Sequence, residues 1–149
     1  MKKENVRDKF VGAWKLIAYE IRTIDGQVLE KNELTGILIY SKEGYMSVQM
    51  MKPERPKFQD GTGEDLDGES IEVIKAAFEG YGGYFGKYTL DEENGIITHH
   101  ILGSHIPNWV SMDFERLYRF LGNKLELTSR PFQSDDKRVF YYLLWERFK

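Results

Sequence analysis

The chain contains no cysteine. Disulfides, thiol nucleophiles and cysteine-ligated metals are therefore excluded together. It has no run of about 18 apolar residues, which excludes a membrane-spanning helix. It has no basic stripe either. Its 21 Lys and Arg are mixed with 24 Asp and Glu, for a net charge of −3, which argues against nucleic acid as a partner. No apolar stretch follows the charged start Met1-Lys2-Lys3-Glu4-Asn5, so no secretory signal is expected and a cytoplasmic protein is the reading. Catalytic and cofactor signatures are equally missing. No Gly-x-Ser-x-Gly occurs, and Ser47, Ser104 and Ser111 have no triad context. The glycines of Gly80-Tyr81-Gly82-Gly83 precede a strand rather than a helix, so they do not form a phosphate loop. No cofactor is expected.

What is present is alternation. In 149 residues, 41% hydrophobic and 14% aromatic, there is enough apolar side chain for one packed core and an aromatic-lined cavity. A short helical turn is expected over Asn5 to Val11. Strands are expected over Trp14 to Thr23, Thr35 to Ser41, Tyr45 to Met51, Gly82 to Leu90, Ile96 to Leu102, Val110 to Phe120, Lys124 to Ser129 and Val139 to Phe148. Asp25-Gly26 and Gly122-Asn123 are turn signals between them. One helix is expected from Ser70 to Glu79, capped by Ser70, with Ile71, Ile74, Ala77 and Phe78 on one face. The Pro/Gly/Asp-rich stretch from Lys52 to Gly68 is a long loop of the kind that forms lids. About eight short strands with one short helix predict an all-β, single-domain antiparallel barrel or sandwich.

Periodicity then sorts the polar candidates. Tyr84, Gly86 and Tyr88 share one strand face and Phe85 and Lys87 the other. Lys87 belongs in water, so Tyr84 and Tyr88 point inward. Arg116 alternates with Phe114, Tyr118 and Phe120, which points it into the barrel, where it is an internal ion-pair partner, an arginine near the mouth reaching water, or the best candidate anchor for a ligand anion. Tyr45, Ser47 and Gln49 share a face, either solvated or lining a polar part of the interior. The histidines, His99, His100 and His105, do not have metal-site spacing, and no metal is expected.

Several stretches together resemble the bacterial and fungal lipocalin-like domain family. They are Gly44-Tyr45-Met46-Ser47-Val48-Gln49, Arg55-Pro56, Tyr84-Phe85-Gly86-Lys87-Tyr88, Thr98-His99-His100, Ser104, Pro107-Asn108-Trp109-Val110, Arg116 and Leu144-Trp145-Glu146-Arg147. The resemblance implies a calycin-type barrel holding a small molecule. It also implies closure of the narrow end by Gly12, Trp14 and Arg147, the glycine turning the chain into the first strand and the guanidinium lying over the indole. Two positions depart from the family pattern: Ser111 stands where Gly is usual, and Glu115 where an apolar residue is common.

The expectation is a protein that binds a small hydrophobic or amphipathic molecule, apolar or aromatic with a polar or anionic group. Its candidate contacts are Tyr45, Ser47, Gln49, Tyr84, Tyr88, His100, Trp109, Arg116 and Tyr118. The alternative is a cofactor-independent cyclase, isomerase or dehydratase in the same cavity, with His100, the second His of the family's pair, as acid/base. A third possibility is a ligand-free barrel filled by its own side chains.

Overall fold

The computed structural model describes residues 5–149. The chain is a closed antiparallel barrel. Its strands are β1 (Gly12–Thr23), β2 (Val28–Asn32), β3 (Thr35–Tyr40), β4 (Tyr45–Met51), β5 (Tyr81–Asp91), β6 (Ile96–Ser104), β7 (Asp113–Leu121), β8 (Lys124–Thr128), β9 (Phe132–Ser134) and β10 (Lys137–Arg147). Eight of them close the wall in the order β1-β3-β4-β5-β6-β7-β8-β10, with β10 returning to β1 from Trp14↔Arg147 to Thr23↔Val139. The long β1 serves two partners. Its first residues pair with β3, and its second half pairs with β2. Among the described residues no helix is long and apolar enough to cross a membrane.

Local chemistry explains the closed end. Helix α1 (Val6–Phe10) starts where the Asn5 side chain accepts the Arg7 N–H, and it delivers Phe10, fully buried, onto the barrel floor. The Phe10 ring meets Tyr40, Tyr118 and Phe120 edge-on at 5.3, 5.0 and 4.8 Å. Trp14 is 1% exposed, and its indole N–H donates to the Phe10 carbonyl at 2.9 Å. The Arg147 guanidinium lies 4.2 Å from the Trp14 ring centroid and donates to the carbonyls of Val11 and Lys9. Gly12 has a φ of +128°, and a Cβ there would sit 2.7 Å from Arg147 Nη1. Backbone geometry and the closeness of the arginine both require glycine at this point.

Three elements differ from expectation. β2 and β9 are strands beyond the eight expected. β2 is exposed along most of its length and is held by backbone bonds to β1, so its side chains carry no alternation to read. β7 starts at Asp113 rather than Val110, because Pro107–Trp109 forms a 3-10 turn and Ser111 adopts a φ of +73°. Helix α2 (Ile71–Glu79) has the expected cap, Ser70 Oγ accepting from Val73 N at 3.3 Å. Its apolar face is poorly covered, however: Ile71 is 73% and Phe78 52% exposed. The helix stands at the rim, where Phe78 reaches the ring of His105 at 5.5 Å.

Candidate functional site

The barrel encloses a cavity of about 550 Å³, which lies within the range of small-molecule sites. One wall is aromatic. Tyr84, Trp109 and Phe114 meet edge to face, with centroids 6.2 Å (Tyr84–Trp109), 5.7 Å (Tyr84–Phe114) and 5.2 Å (Trp109–Phe114) apart. His105 extends this wall toward the rim, its ring perpendicular to Trp109 at 5.4 Å. Across the cavity stand Tyr19, Tyr141 and Trp145. Lys52 and the segment from Glu79 to Gly83 border the opening, tied together by a Lys52 N–H bond to the Gly80 carbonyl at 2.7 Å.

His99 is deeply buried in the site, 2% exposed. Its Nε2 lies 2.7 Å from the Tyr40 hydroxyl and its Nδ1 2.8 Å from the Tyr84 hydroxyl. Burial, helped by the nearby charge of Arg116, pushes its pKa down to about 3, so the imidazole is neutral. Burial also pushes Tyr84 up to about 12, against the pull of Arg116, and Tyr40 well above the usual tyrosine range. Both phenols are thus protonated at neutral pH.

Arg116 lines the cavity. It lies over Phe114 at 5.3 Å, and its Nη1 donates to the Glu115 carbonyl at 2.9 Å. Among the described residues no carboxylate is within ion-pair reach of it. Its charge is felt at Tyr19, Tyr40, Tyr84 and His99. The indole N–H of Trp145 is buried in the wall without a hydrogen-bond partner and is closed off from the cavity space.

Of the residues singled out in the sequence, Tyr84, Trp109 and Arg116 line this cavity. Tyr88 and Tyr118 face inward but belong to the packed floor. Tyr88 donates to the Ser41 carbonyl at 2.7 Å and stacks edge-on to Tyr40, and Tyr118 packs on Phe10. Tyr45, Ser47 and Gln49 are corrected to the outer face, because Met46 and Val48 occupy the buried face of β4 and alternate residues of a strand oppose each other. Tyr45 is 49% exposed. His100 is corrected in the same way. It follows His99 on β6, so only one of the two can face inward. His100 lies outside, 2.8 Å from both Thr89 Oγ1 and Asp113 Oδ1.

The residues missed have physical signatures of unequal legibility. His99 alternates with Ile97 and Ile101, both buried, so the strand pattern marked it as the inward histidine. Tyr19 was hidden by a β-bulge between Leu16 and Ala18, which moves the inward face of β1 from even to odd positions. Among the described residues no three His, Asp, Glu or Cys side chains gather as a metal site would require.

Comparison with known proteins adds three findings. The lipocalin-like domain family matches residues 11–148. A 4'-hydroxy-3'-methoxypropiophenone carrier protein from Aspergillus oryzae is 29% identical over 90 residues, 56% of this chain and 78% of that protein. A lipocalin-like protein from Bacteroides uniformis superposes with a TM-score of 0.46 at 16% identity, over 94% of this chain and 99% of that one.

Proposed function

The chain belongs to the lipocalin-like domain family, and on that premise we propose that it binds a small aromatic molecule bearing an anionic or polar group, held in the barrel as cargo. The observation that carries the reading is Arg116. A guanidinium facing a cavity with apolar and aromatic walls, with no carboxylate beside it, is a charge whose desolvation is offset by a ligand anion. The aromatic wall of Tyr84, Trp109 and Phe114 suits a flat ring, since edge-to-face contacts favour aromatic guests beyond their buried area. The relative named as a carrier of an aryl ketone supports the same class of cargo. A cavity of about 550 Å³ supports this reading over a barrel filled by its own side chains. The catalytic alternative has lost its named acid/base, since His100 lies outside the barrel.

The test is a matched pair, 2-naphthoic acid and its methyl ester, titrated calorimetrically against the protein and against R116M. The acid should bind the unmutated protein more tightly by about 1.5–3 kcal/mol, the worth of a hydrogen bond to a charged group. In R116M that preference should vanish while the ester still binds. Equal affinities of acid and ester for the unmutated protein would remove Arg116 from the binding role.

A further inference from the structure

The two hydroxyls flanking His99 cannot be oriented independently. Tyr40 is 1% exposed, and the hydrogen-bond partner of its hydroxyl is His99 Nε2. If Nε2 carried the imidazole proton, the Tyr40 oxygen would accept it and the Tyr40 proton would be stranded in the core, a buried donor without an acceptor. With the proton on Nδ1 every group is satisfied. Tyr40 donates to Nε2, His99 Nδ1–H donates to the Tyr84 oxygen, and the Tyr84 O–H is left to donate to something else. Tyr84 lines the cavity, so its O–H is offered to whatever occupies that space.

We infer that the cavity contains a carbonyl-recognition subsite, distinct from the Arg116 anchor, in which the buried Tyr40–His99 pair fixes Tyr84 as a hydrogen-bond donor. The ligand class it takes is one presenting an acceptor, a ketone or ester carbonyl, rather than a group that must donate. His99 is here a positioning residue: it touches no ligand and acts through Tyr84. The inference rests on the reading of the barrel as a binding site, and it deepens that reading by naming the group the ligand carries.

Two measurements test it. Long-range ¹⁵N–¹H spectra of the unmutated protein report the His99 tautomer without any ligand or substitution. Nδ1 should be of the protonated type and Nε2 of the unprotonated type; the reverse overturns the subsite. Then 2-acetylnaphthalene and 2-ethylnaphthalene, alike in shape but only one with a carbonyl, are titrated by fluorescence. The ketone should bind about threefold to tenfold more tightly, the range of one neutral hydrogen bond, and Y84F should lose that ratio while still binding both. Equal binding of the two by the unmutated protein overturns the carbonyl subsite alone. If neither naphthalene binds while 2-naphthoic acid does, the subsite falls and the binding reading stands; if none of the three binds, both fail.

Discussion

His99 is held neutral by burial, and this has a consequence for stability. Its pKa is about 3 in the folded chain and about 6.5 when exposed. The folded pKa is the depressed one, so its contribution is fully present above pH 6.5. It is lost as pH falls toward 3, because the unfolded chain takes up a proton that the native core refuses. The loss approaches about 1.4 kcal/mol per pH unit inside that window. Chemical denaturation between pH 7 and 4 should show H99Q with a shallower pH dependence than the unmutated protein, even if H99Q is less stable at pH 7. A second residue carries local strain. Ser111 sits at a φ of +73°, held there by its N–H bond to the Ile101 carbonyl at 2.9 Å. The left-handed region costs a side-chain-bearing residue about 1–2 kcal/mol, part of which glycine returns as unfolded-chain entropy. S111G should therefore raise stability by up to about 1 kcal/mol in thermal melts.

Among elements, the floor and the rim contrast. At the floor, α1, the start of β1 and the end of β10 are tied by Trp14, Phe10 and Arg147. Emptying the Trp14 site with W14A should cost about 3–5 kcal/mol, and R147A should cost less, since it removes a cation–π contact and carbonyl bonds but leaves the indole packed; urea titrations of both variants give the order. At the rim, the loop from Lys52 to Gly68 is organised by its own polar groups. The Asp60 carboxylate accepts the N–H groups of Glu64 and Asp65, both at 3.1 Å. Arg55 ties it to α2, donating to the Ala77 carbonyl at 3.0 Å. Such segments open at low free energy. Hydrogen exchange of the ligand-free protein should find 52–68 the fastest internal segment. Protection equal to that of the barrel strands would exclude a lid.

For the molecule as a whole, closure of the sheet makes one end a plug and the other a vessel. A ligand that binds only the closed barrel stabilises it by mass action, about 2.7 kcal/mol at a hundredfold excess over its dissociation constant. The naphthoic acid should raise Tm in the unmutated protein and lose most of that shift in R116M. Legible in the linear chain are the barrel class, the eight wall strands within a few residues, the helix cap at Ser70, the Gly12–Trp14–Arg147 closure and the inward side of Tyr84 and Arg116. All of these follow from local alternation, turn chemistry or a recognisable pattern. Three-dimensional assembly settled which inward residues border empty space and which are packed. Tyr84 and Tyr88 share one face of β5, yet Tyr88 is consumed by the floor beneath Tyr40 while Tyr84 meets the cavity. It likewise decided that β1 changes its inward parity at the bulge, bringing in Tyr19, and that His99 joins tyrosines from two other strands. Depth along the barrel axis and strand register are set by pairings between residues far apart in the chain, and no local period records them.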